Sequence, residues 1–174
     1  MRWLKILVST LVILAVAFVA VGFLLPSGYE VERRITIAAT TEQIHPLVED
    51  LERWSEWEPW REGDPTIKVT LGGTTKGVGA HQSWTGETGD GELTITESSP
   101  AGGIRYDMSF DGGAWLSEAR IRYEPQGAST EVVWTMEGDT GSNPIGRYFG
   151  LLLDSLTGPM FERGLEKLKA AVEK

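Results

Sequence analysis

The chain opens on an unbroken apolar run. Ile6 to Leu25 reads ILVSTLVILAVAFVAVGFLL, 20 residues with no charge and only Ser9 and Thr10 polar. As a helix rising about 1.5 Å per residue it would span about 30 Å, the thickness of a bilayer's hydrocarbon core. Trp3 stands where an interfacial aromatic anchors, and Pro26-Ser27-Gly28 ends the helix. The pattern predicts a transmembrane anchor over residues 1–26. Two readings compete with it: a cleaved secretion signal and a helix buried in a soluble core. A signal has an apolar region of about 7–15 residues followed by a small-residue cleavage site. Here the small-residue candidate, Ala20-Val21-Gly22, lies inside the run. Arg2 and Lys5 abut the N-terminal end, whereas Arg33 and Arg34 come later and are matched by Glu30 and Glu32. The expected orientation puts the N-terminus in the cytoplasm and residues 27–174 outside it.

After Pro26 the period falls to two. Val31, Ile35 and Ile37 alternate with Glu32, Arg34 and Thr36, a strand over 29–37 with one buried side. Thr40 and Gln43 form a capping box, and Pro46 should divide the helical stretch after it into two short helices ending near Trp54. Six further strands are expected at 66–71, 78–86, 91–98, 103–110, 115–123 and 130–137, separated by Gly-rich turns. From Pro144 to Glu173 apolar residues recur three or four apart, the mark of one long helix, with Gly158-Pro159 as an expected kink. Short hairpins make neighbouring strands antiparallel. The fold class is therefore α+β: a seven-stranded curved antiparallel sheet around a long C-terminal helix. Two short helices come after the first strand, and a transmembrane helix precedes everything.

Composition narrows the function classes. The segment after residue 26 carries all 25 acidic residues and 14 of the 16 basic ones, a net charge of −11. Phosphate binding needs clustered Lys and Arg, so nucleic acid is not an expected partner. The chain has no cysteine, which removes disulfides, thiolate nucleophiles and Cys-ligated metals.

Three stretches carry a family likeness. Arg53-Trp-Ser-Glu-Trp-Glu-Pro-Trp60 resembles the Trp-x-x-Trp-x-Pro-Trp segment of bacterial polyketide cyclase/dehydrase-type members of the START-like helix-grip superfamily, also called SRPBCC. Leu156-Thr-Gly-Pro-Met-Phe-Glu-Arg-Gly-Leu-Glu-Lys-Leu-Lys169 is similar to their Gly-x-x-Phe-x-x-Gly-Leu-x-x-Leu-Lys ending, and Gly77 to Gly86 fits their third strand. The resemblance implies an apolar pocket between sheet and long helix that holds a lipid, sterol, polyketide or other hydrophobic molecule. It does not by itself imply a reaction.

The residues offer little chemistry of their own. His45 reads as a surface or cap residue, and His81 faces outward if Ala80, Gln82 and Trp84 face inward. Two histidines without a third do not make a zinc site, and Glu87, Asp90 and Glu92 read as a solvated turn. No phosphate loop, dinucleotide fingerprint or nucleophilic triad is present, so no catalytic residue, cofactor or metal site is expected. The aromatics say more. Trp54, Trp57, Trp60 and Trp84 are candidate pocket lining, with Tyr106, Met108, Trp134 and Met136 as its sheet side and Phe149, Leu152, Leu156 and Met160 as its helix side. Packing in the core is the plain alternative for each. Gly146, Gly150, Gly158 and Gly164 weaken the long helix by about 1 kcal/mol each relative to Ala. Either close helix–sheet approach or room for a ligand must compensate.

The expected function is a membrane-tethered binding module for a hydrophobic small molecule or lipid. The first alternative is a cyclase or dehydratase, with Glu97, Tyr106, Glu118 and His81 as acid or base candidates. The second is a protein-interaction domain displaying Trp54, Trp57 and Trp60 as an exposed patch.

Overall fold

Apolar and polar faces alternate along every strand, and the chain closes them onto one core. The computed structural model describes residues 2–174. Helix α1 covers Arg2–Leu24, β1 Gly28–Ile37, α2 Thr41–Val48 and α3 Trp60–Gly63, with a 3-10 turn at Arg53–Glu56 between the last two. Then come β2 Lys68–Leu71, β3 His81–Thr85, β4 Gly91–Ser99, β5 Gly103–Phe110, β6 Trp115–Gln126, β7 Ser129–Asp139 and helix α4 Pro144–Val172. The sheet is antiparallel, in the order β1-β7-β6-β5-β4-β3-β2. The expected seven strands and long helix are all present.

Local differences have physical causes. Pro46 does not split the first helix; α2 runs through it as one element. Pro46 is only the sixth residue of α2, so few helical hydrogen bonds are forfeited there. β3 begins at His81 rather than 78, because Gly77 and Gly79 adopt positive φ and hold that segment out of the sheet. α4 continues through Gly158-Pro159 as one helix. Gly103 has φ of 89° and its Cα faces the Ile121 carbonyl so closely that no side chain fits, which fixes the β4–β5 turn.

The inner face carries Val31, Ile37, Leu93, Ile95, Ile104, Tyr106, Ala119, Ile121, Val132, Trp134 and Met136, all buried. The outer face is polar: Arg105 pairs with Glu97 and Glu118, and Arg120 also reaches Glu118. α4 does not lie centrally. It packs along β1 and touches β7, leaving β3 to β6 largely clear of it. Arg33 fixes this lateral position. Its guanidinium reaches from β1 to Asp154 at 2.7 Å and Glu162 at 2.6 Å, passing over Gly158. A side chain at position 158 would occupy the space of that guanidinium.

Candidate functional site

Two halves of the inner face differ. At one end α2 and the turn after it cover β5 and β6. Here Trp54 and Trp57 are buried, and their indole Nε1 atoms donate to the Val48 and Leu47 carbonyls at 2.9 and 3.0 Å. Trp134 is fully buried, stacks on Phe161 with 4.2 Å between ring centroids, and donates its Nε1–H to the Tyr106 hydroxyl at 2.9 Å. Met136 is buried beside this aromatic cluster, and Trp60 closes it at 5.9 Å from Trp134. Burial pushes the Tyr106 phenol's pKa well up, so it stays protonated. This half is solid packing. Trp54 and Trp57 do not form an exposed patch, which removes the basis of the interaction-surface reading.

The other half is open. Trp84, Met108, Phe110 and Trp115 are only partly buried on the inner face of β3, β5 and β6. On α4, Phe149 lies against Trp115, and Phe149, Leu152 and Leu156 are 47%, 56% and 58% exposed. Met160 is half-buried where this stripe meets the packed half. Trp115 bridges sheet and helix, 6.1 Å from Phe149, while Trp84 lies edge-on to Phe110 at 5.7 Å. Gly91 has no side chain because the Trp84 ring lies over it. The two apolar surfaces meet at Trp115 and Phe149 and form a cleft open along one side. One polar pair sits at its end: the Tyr29 hydroxyl crosses over Gly138 to Ser117 Oγ at 2.6 Å. Tyr29, Phe110, Trp115 and Ser117 were not among the sequence candidates. The inward phase of Trp115, Ser117, Ala119 and Ile121 along β6 is the signal that would have found two of them.

His45 is a correction. It is 3% exposed, not a surface residue. Its Nδ1 lies 3.2 Å from the Tyr123 hydroxyl and its Nε2 3.2 Å from Ser98 Oγ, with Glu49 at 3.4 Å. Desolvation holds its pKa below the usual imidazole value in spite of Glu49. The group ties α2 to β4 and β6 at the packed end, away from the cleft. His81 does face outward, with Nδ1 3.1 Å from Thr94 Oγ1. Glu97 and Glu118 also lie on the outer face, and hydrogen bonds from Arg105 and Arg120 hold the Glu118 carboxyl below the ordinary range. Of the four acid–base candidates, only Tyr106 is on the inner side, and it is locked in the aromatic cluster. A depression of about 760 Å³ is lined by Tyr29, Met108, Leu116 and Ser117 together with Glu30, Asp107, Glu118 and Glu137, the four acids coming one from each of four neighbouring strands. It is wide open, and Tyr29, Met108 and Ser117 belong both to its lining and to the apolar cleft. Among the described residues no group of three or more His, Asp and Glu could hold a metal ion.

Comparison with known proteins agrees with this geometry. The family model described as polyketide cyclase/dehydrase and lipid transport matches residues 29–173. No curated protein matches the chain significantly in sequence. Among solved structures, norcoclaurine synthase from Thalictrum flavum, in complex with dopamine and hydroxybenzaldehyde, superposes with a TM-score of 0.61 at 14% identity, over 87% of this chain and 90% of that one. A Thermobifida fusca protein solved by NMR gives 0.60 at 19% identity, over 82% and 92%. A Rhodobacter sphaeroides protein gives 0.60 at 16%, over 83% and 93%. At these identities the likeness is one of fold, the helix-grip architecture. With the family model covering strand β1 through helix α4, the chain belongs to the polyketide cyclase/dehydrase and lipid transport family.

Proposed function

We propose that the protein is a membrane-tethered module that binds one hydrophobic, lipid-like molecule in the open cleft. The observation that carries this reading is the exposed stripe Phe149, Leu152 and Leu156, which meets the half-covered Trp84, Met108, Phe110 and Trp115 of the inner face through the Phe149–Trp115 contact. Apolar surface of that extent at a concave site gains from a ligand about 25 cal/mol for each Å² it removes from water. The Tyr29–Ser117 pair offers a polar group at one end, suited to a ligand's single hydroxyl or carboxyl. Tethering is supplied by α1, which is long and apolar enough to cross a membrane. The reading puts residues 27–174 on the extracytoplasmic side, as the basic residues beside Trp3 favour. A cyclase or dehydratase role gains no support from the site, since Glu97, Glu118 and His81 lie outside the cleft.

The test is a titration of the full chain in detergent micelles with cis-parinaric acid, a fluorescent fatty acid, alongside mass spectrometry of what co-purifies. Saturable binding that Met108→Asp and Leu156→Asp each weaken by about tenfold or more supports the reading. Absence of saturable binding, or variants that bind as well as the parent, would overturn it.

A further inference from the structure

The apolar anchor helix does not trail away from the sheet-and-helix unit; it is docked on α4. The Tyr148 ring stacks on Phe18 with 4.2 Å between centroids and 6° between planes, and its hydroxyl donates to the Phe18 carbonyl at 2.7 Å. One turn later Gly22 is buried against the start of α4. A Cβ there would stand 2.6 Å from the Pro144 carbonyl oxygen and 2.9 Å from Pro144 Cβ, so a larger residue would push the helices apart. At the end of α1 the Arg147 guanidinium donates to the Phe23 and Leu25 carbonyls at 2.8 and 2.9 Å. The Phe23 carbonyl lies in the last turn of α1, where none has a partner four residues on within the helix, and a cation at a helix C-terminus is favourable.

This docking has a consequence for depth. Phe18 lies seven residues before Leu25, about 10 Å of helix. If Leu25 marks the end of the span, the Tyr148 ring reaches below the membrane surface, and Pro144 stands level with Gly22. The composition of the first turns of α4 suits that place. From Pro144 to Leu153 the only charged residue is Arg147, which is turned onto α1. Ile145, Phe149, Leu151 and Leu152 are 62%, 47%, 53% and 56% exposed, and the first acid of the helix is Asp154. Exposed apolar side chains in contiguous turns beside a membrane span find their solvent in acyl chains.

We infer that α1 seats the N-terminal half of α4, and with it the mouth of the cleft, in the lipid bilayer. A hydrophobic ligand then passes between bilayer and cleft along Phe149 and Leu152 without crossing water. The inference rests on the tethered-module reading above and adds a location to it. No pore or second span is needed.

The chain lacks cysteine, so single cysteines can be labelled cleanly. The full chain carrying Leu14→Cys, Leu152→Cys or Glu166→Cys is labelled with the environment-sensitive fluorophore NBD and reconstituted in phosphatidylcholine vesicles. Doxyl-labelled phospholipid and aqueous iodide serve as quenchers. The expected result is lipid quenching and loss of iodide quenching at 14 and 152, with iodide quenching retained at 166 on the same helix. Adding Gly22→Leu to the Leu152→Cys variant should restore iodide quenching at 152. A probe at 152 as open to iodide as that at 166, with 14 in lipid, overturns the seating and leaves the tether standing. Probes at 14 and 152 both in water overturn the tether and the seating together.

Discussion

The glycines of α4 make a sharp test of how the helix meets the sheet. Replacing a helix-interior Gly by Ala gains about 1 kcal/mol in propensity if the new methyl group fits. At Gly150 it fits: the nearest atoms to an added Cβ are Thr140 Cγ2 at 3.5 Å and Tyr29 Cβ at 3.9 Å, ordinary contacts. At Gly164 the same atom would stand 2.8 Å from Trp134 Cζ3 and 3.2 Å from Pro59 Cδ. Trp134 cannot yield, since it is fully buried, stacked on Phe161 and tied through its indole to Tyr106. Overpacking of a rigid core costs about 1–3 kcal/mol. The propensity gain is common to both variants and cancels in their difference. Gly150→Ala should therefore raise stability by about 1 kcal/mol, a Tm increase of about 2–4 °C for a chain of this size. Gly164→Ala should fall below Gly150→Ala by about 1–3 kcal/mol. Urea unfolding of the full chain in detergent, followed by tryptophan fluorescence, measures both. Equal stabilisation by the two substitutions would refute the claim that Gly164 exists for close approach.

Three further outcomes concern the buried polar groups. Tyr106→Phe leaves the Trp134 indole N–H without its acceptor in a dry core and should cost about 1–3 kcal/mol in urea unfolding; a negligible loss would show that the pair contributes nothing. Asp64 accepts from the backbone and hydroxyl groups of Thr66 and Thr88, which lowers its pKa from 3.8 to about 2. Its contribution is present above pH 3.8 and is lost as pH falls toward about 2, so Asp64→Asn should flatten that part of an acid-unfolding curve while lowering stability at neutral pH. For His45 the folded pKa lies below 6.5, so the unfolded chain takes up a proton first and stability falls as pH drops below 6.5. His45→Gln should remove that slope, and a variant with the parent's pH profile would show that another group carries it.

The fold was largely legible because alternation survives any detail of packing. Ile104, Tyr106 and Met108 against Arg105 and Asp107 give strand, face and phase together. The site was legible only in part. Met108 and Trp134 share the same inward phase, yet one borders the cleft and the other is sealed in the core. What separates them is the sideways placement of α4 over β1, set by Arg33 bonding to residues 121 and 129 positions away. His45 was misread for a similar reason. Its neighbours Ile44, Leu47 and Val48 mark the buried side of α2, but its partners Ser98 and Tyr123 come 53 and 78 residues later. Pairings at such separations leave no local trace in composition.

The placement of β1 beside β7 also governs when the molecule can be completed. Both partners of that ladder, Gly28–Ile37 and Ser129–Asp139, must exist before it forms, and residues 38–128 are synthesised between them. At about 5–20 residues per second, β1 waits roughly 5 to 20 s for its only neighbour in the sheet. The apolar helix just before it emerges first and can enter a membrane long before the sheet closes. On the tethered reading proposed above, insertion holds one end of the chain in place while its open edge waits for β7.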